Sequence, residues 1–86
     1  MAINQELLEE ATANECRLAD GFEDCIIGMC YQFGQQPRVA YDYEKMIKKM
    51  MKRDKMSRQE AEEFYSYNIE GAWMGAGTPV YIRLTT

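Results

Sequence analysis

One stretch restricts this chain more than any other. Cys25-Ile26-Ile27-Gly28-Met29-Cys30-Tyr31-Gln32-Phe33 is nine residues of nearly continuous apolar and aromatic side chains. It is too short to cross a membrane, and it is rich in the β-branched and aromatic residues that favour strands. The expectation is a strand buried on both faces, with Cys25, Ile27, Met29, Tyr31 and Phe33 on one side and Ile26, Gly28 and Cys30 on the other. Gly34-Gln35-Gln36-Pro37 then reads as a turn, and residues 38–43 as the return arm of a hairpin. A chain of 86 residues makes one domain, 1–86, with a thin core.

Helical patterns flank the hairpin. Residues 4–20 follow an i, i+4, i+8 stripe of Ile3, Leu7, Leu8, Ala11, Glu15 and Leu18, with Asn4 as the expected cap. Residues 44–54 form a second helix, with Met46, Ile47, Met50 and Met51 inward, Lys45, Lys48, Lys49 and Lys52 outward, and Asp42 as the expected N-cap. Ser57-Arg58-Gln59-Glu60 has the form of a capping box and opens a third helix to about residue 69. Its expected inward stripe is Ala61, Phe64, Tyr65, Asn68 and Ala72. Residues 73–79 hold too much glycine to stay helical, and residues 80–84 alternate as a third strand. The order is α-β-β-α-α-β: an α+β domain in which residues 1–19 form an N-terminal helix and residues 20–86 a core with a small three-stranded sheet packed by helices.

The composition excludes several chemistries. There is no histidine, so neither a Ser-His-Asp or Cys-His centre nor a Cys₂His₂ zinc site can be assembled within the chain. Three cysteines without a Cys-x-x-Cys spacing read as small buried hydrophobes rather than as a metal or redox site. No metal or cofactor is expected. No apolar window reaches membrane-spanning length, and the N-terminus lacks a secretory pattern, so no membrane partner and a cytoplasmic location are expected.

Charge is segregated. Residues 1–24 hold seven acids and one base, a balance of −6, while residues 45–58 hold seven bases and one acid, a balance of +6, within a chain of net charge −4. The basic face of Lys45, Lys48, Lys49, Lys52 and Arg53 reads first as a solvated surface steered toward an acidic neighbour in the same fold. Its alternative is a phosphate-binding surface, although no aromatic residue interleaves the lysines.

Among candidate sites, Asp20, Glu23, Asp24, Asp42 and Glu44 cluster where the hairpin begins and ends. Converging carboxylates there can hold a divalent cation or a nucleotide, can raise one carboxyl pKa for acid–base work, or can serve as caps, turn formers and solvated charges. Asn68, on an apolar stripe, is expected to be a buried amide bonded to backbone. Trp73, with the loop through Thr78 and Pro79, offers an aromatic contact surface, and Tyr41 belongs to a generous supply of tyrosines.

Three blocks occur in order: Asp20-Gly21-Phe22-Glu23-Asp24-Cys25-Ile26-Ile27-Gly28, Tyr41-Asp42-Tyr43-Glu44-Lys45, and Glu60-Ala61-Glu62-Glu63-Phe64 continuing through Asn68 to Gly71-Ala72. Together with Thr78-Pro79 they resemble a set of small bacteriophage and prophage proteins that share D-G-F-D/E-x-A-hydrophobic-I-G, Y-D-Y/x-x-K and E-A-x-E-Y/F-F-x-x-N-hydrophobic-x-G-A blocks. Cys25 stands where that pattern has alanine, and the lysine run here is heavier. The resemblance implies a phage setting and carries no activity. The expectation is therefore a small phage accessory protein, non-enzymatic, that binds a host or phage protein, including a host-defence system. Its contact is placed on Trp73 and its loop or on the carboxylates near Asp20 and Asp42. The alternatives are a ligand or metal site on Asp20, Asp24 and Asp42, or nucleic-acid binding through the basic helix. Homo-oligomerisation suits so small a core.

Overall fold

The computed structural model describes residues 5–19, 21–72 and 75–84. Its elements are α1 (Gln5–Ala13), β1 (Ile26–Cys30), β2 (Arg38–Asp42), α2 (Tyr43–Arg53), α3 (Arg58–Phe64) and β3 (Val80–Ile82). A short 3₁₀ turn, Glu23–Cys25, precedes β1, and a π-helical segment, Tyr65–Glu70, continues α3. The α-β-β-α-α-β order and the α+β class are as the sequence implies. The sheet order is β1-β2-β3, antiparallel between β1 and β2 and parallel between β2 and β3.

The N-terminal helix is shorter than its apolar stripe suggests. Thr12 Oγ1 donates to the Leu8 carbonyl and Asn14 Nδ2 to the Glu10 carbonyl, at 2.9 and 2.8 Å. Polar side chains that bond the preceding turn compete with helix continuation. The Cys16 N–H then donates to the Ala11 carbonyl and the Glu15 N–H to the Thr12 carbonyl, with Glu15 at φ 56°. This is a Schellman stop made without glycine. Glu15 and Leu18 therefore lie beyond the helix, and the chain runs irregularly to Ala19, whose N–H donates to Tyr41 Oη at 2.8 Å.

The apolar run is also corrected. β1 spans five residues at a sheet edge, Cys25 lies in the 3₁₀ turn, and Tyr31 and Phe33 are 63% and 103% exposed. The helical core packs against the sheet face that carries Val39 and Tyr41. Ile26 and Met29, opposite Tyr41 and Val39, turn toward that side, and a register shift between Ile26 and Gly28 takes Ile27 out of strict alternation.

The core is a single cluster beneath the helices. Val39 and Tyr41 from β2, Met46, Ile47 and Met50 from α2, and Ala61 from α3 are completely buried. Each fully buried aliphatic side chain contributes about 1.5–3 kcal/mol. Asp42 caps α2 by accepting from the Lys45 N–H at 3.1 Å. The Ser57–Glu60 capping box opens α3 with both reciprocal bonds present. The inward stripe of the third helix is Ala61, Tyr65 and Ile69, whereas Phe64 and Asn68 face solvent. Tyr65 fixes that rotation: its ring packs edge-on against Tyr43 at 4.7 Å and Tyr81 at 5.5 Å.

Candidate functional site

The strongest concentration of one kind of chemistry is on the outer face of α2. Lys45, Lys48, Lys49 and Lys52 fall at i, i+3, i+4 and i+7, which places them along one side of the helix. Met46, Ile47 and Met50, on the opposite side, are locked into the core, so the lysines stand on a fixed support.

The acidic segment before β1 lies against this face. Lys49 Nζ is 2.6 Å from Asp24 Oδ1. Arg53 donates to the Gly21 carbonyl at 3.2 Å, lies 4.9 Å from the centre of the Phe22 ring, and pairs with Asp54 at 2.8 Å. Lys49 therefore holds the Asp24 carboxyl below the usual carboxylate range. Helix and segment enclose an open depression of about 660 Å³, lined by Asp24, Cys25, the four lysines and Arg53. Its walls are largely apolar atoms, the methylene stems of the lysines beside Cys25. The Cys25 thiol is 2% exposed, and burial, then the Asp24 charge, push its pKa up to about 11. It is thus a wall and not a nucleophile.

Three of these cations are left over. Among the described residues, Lys45, Lys48 and Lys52 have no ion-pair partner, whereas Lys49 and Arg53 are paired. Lys45 also sits in the first turn of α2, where the helix dipole disfavours a cation by about 0.3–1 kcal/mol. Helix stability therefore does not account for it.

The residues singled out from the sequence go to several places. Asp24 joins the groove. Asp42 is 7% exposed and occupied as a cap. Glu23 accepts from the Gly21 N–H at 3.4 Å, and Glu44 is held by both Nη atoms of Arg58 at 2.6 and 2.8 Å. Among the described residues no three metal-ligating side chains converge. The carboxylates are thus distributed as caps and ion-pair partners. Tyr41 is a core residue at 0% exposure. Asn68 is exposed, and its amide donates to the Phe64 carbonyl at 3.3 Å, which corrects the buried-amide expectation. Thr78 is buried, with its N–H donating to the Gly75 carbonyl at 3.1 Å. Asp20 and Trp73 lie outside the described residues.

The loop before β3 has a structural job. Gly77 accepts from the Arg17 N–H at 3.0 Å, and a Cβ there would sit 2.9 Å from the Glu15 carbonyl oxygen. Only glycine permits that approach. Sequence reasoning located the basic face and its acidic neighbour; it missed that they share one groove with Cys25 between them.

Comparison with protein-family models, curated proteins and solved structures found no match.

Proposed function

We propose that this chain is a binding protein rather than an enzyme, and that it takes an acidic segment of a partner protein into the groove along α2. The observation that carries this reading is the set of unpaired cations, Lys45, Lys48 and Lys52, aligned over an apolar floor on a well-anchored helix. Cations over methylene and thiol surface suit a polypeptide that offers carboxylates and apolar side chains together.

A nucleic acid fits this surface less well. Among the described residues the groove is lined by no aromatic side chain on which a base could stack, Asp24 lies inside it, and the net charge of the chain is −4. The resemblance to phage proteins makes a host or phage protein the partner, met in the cytoplasm of an infected bacterium.

Fluorescence anisotropy with a labelled Glu-rich amphipathic peptide, and with single- and double-stranded DNA, tests the reading. The peptide should bind more tightly than either DNA. K45E/K48E/K52E should weaken it at least tenfold, about 1.4 kcal/mol. Tighter binding of DNA would replace this reading with nucleic-acid recognition.

A further inference from the structure

The groove along α2 holds one acid among its cations. Lys49 stands one helical turn from both Lys45 and Lys52, in the middle of the stripe. Asp24 Oδ1 meets its Nζ at 2.6 Å, so a carboxylate interrupts a row of cations about 10 Å long. The segment that presents this carboxylate is fixed on both sides. Phe22 and Cys25 are 5% and 2% exposed, and the Cys25 N–H donates to the Phe22 carbonyl at 2.9 Å. Arg53 holds the Gly21 carbonyl at 3.2 Å. The Asp24 backbone therefore keeps its place beside the helix.

Stability does not account for this acid. An ion pair as exposed as Lys49–Asp24 contributes little to folding, and Phe22, Cys25 and Arg53 hold the segment without it. The hydrogen bond from Lys49 keeps the Asp24 carboxyl below the usual carboxylate range, so its charge persists at neutral pH.

We infer that Asp24 is the specificity-determining residue of the groove, admitting an acidic polypeptide and turning away a continuous polyanion. The inference rests on the reading of the groove as the site for an acidic segment. A nucleic-acid strand carries a phosphate at every nucleotide, so every register along the stripe sets a phosphate near Asp24. A polypeptide can set carboxylates against Lys45, Lys48 and Lys52 and an uncharged or donor side chain against Asp24. A repulsive element aimed at the wrong partner is a general source of specificity. Asp24 also occupies Lys49, which would otherwise join the three lysines that have no ion-pair partner among the described residues.

Fluorescence anisotropy of the full chain with a labelled single-stranded oligothymidylate and with the labelled Glu-rich peptide, over a salt series, tests this. D24N should bind the oligonucleotide about tenfold more tightly than the native chain, about 1.4 kcal/mol. Its slope of log affinity against log salt should steepen by about 0.7, which is one further phosphate contact. The peptide should gain less, so the margin between the two ligands narrows. K49Q added to D24N should remove most of the oligonucleotide gain. E9Q makes the same change of charge on an exposed acid of α1, outside the groove, and should leave both affinities nearly unchanged. All variants should keep the native circular dichroism spectrum. An oligonucleotide affinity of D24N no higher than native, an equal gain in E9Q, or a gain that survives K49Q overturns the inference. Peptide binding by the native chain with no oligonucleotide gain in D24N overturns the role of Asp24 alone. The oligonucleotide gain without peptide binding by the native chain overturns the acidic-segment reading and supports Asp24 as the barrier to nucleic acid.

Discussion

α1 and α2 are helices of nine and eleven residues with opposite charge, and the fold holds them very differently. α2 begins on the Asp42 cap, buries Met46, Ile47 and Met50 completely, and is tied to the segment before β1 through Lys49 and Arg53 and to α3 through Glu44 and Arg58. α1 buries one residue, Ala11, and ends on a loop turn at Glu15. Both segments are conspicuous in a charge count. Only α2 presents its charges on a support with deep anchors, and that separates an ordered array of cations from a solvated acidic surface.

The largest effect should come from cutting those anchors. Ile47→Ala or Met50→Ala is expected to cost about 2–5 kcal/mol. Leu8→Ala, in α1, should cost about 1 kcal/mol, since its side chain is half-buried. Urea denaturation of the three variants measures this, and equal losses would erase the distinction between the helices.

Two tyrosines sharpen the account of how the segment after α1 is held. Tyr41 and Tyr81 pack with ring centres 5.9 Å apart, and the Tyr41 hydroxyl accepts from the Ala19 N–H. The Tyr81 hydroxyl is buried and, among the described residues, has no hydrogen-bond partner. Tyr41→Phe strands the Ala19 N–H and should cost about 1–3 kcal/mol. Tyr81→Phe should be neutral or stabilising. Thermal unfolding of both variants reads the opposite signs.

The smallest effect belongs to the ion pair across the groove. Lys49 depresses the Asp24 pKa, so this pair contributes stability above the ordinary carboxylate pKa and loses it as pH falls through the depressed value. The pair is partly exposed, with side chains at 26% and 45%, so its worth is about 0.2–1 kcal/mol. Asp24→Asn should lower the melting temperature slightly at neutral pH and leave it nearly unchanged at acid pH. An equal loss at both would assign the effect to packing.

Local signals in the sequence were legible wherever neighbours in the chain decide the structure. Asp42 and Ser57–Glu60 bond to amides three residues away, and the α2 stripe repeats with the helical period, so cap, capping box and buried face follow directly. The errors lie where distant packing decides. Nothing near the run from Cys25 to Phe33 reveals that its strand takes only five residues at a sheet edge, so burial on both sides was expected. Asn68 adjoins the true inward stripe, and only the packing of Tyr65 between Tyr43 and Tyr81 shows which way the helix turns. The groove needed both kinds of information: the lysines repeat locally, but Asp24 and Cys25 reach them through a fold contact 25 residues apart for the Lys49–Asp24 bond.

The most direct measurement compares charge reversal on the two helices. Anisotropy of a labelled Glu-rich peptide should be nearly unaltered by E9K/E15K in the α1 region and at least tenfold weakened by K45E/K48E/K52E on α2. Equal affinity for the unaltered chain and the α2 variant would contradict the assignment of α2 as the binding surface.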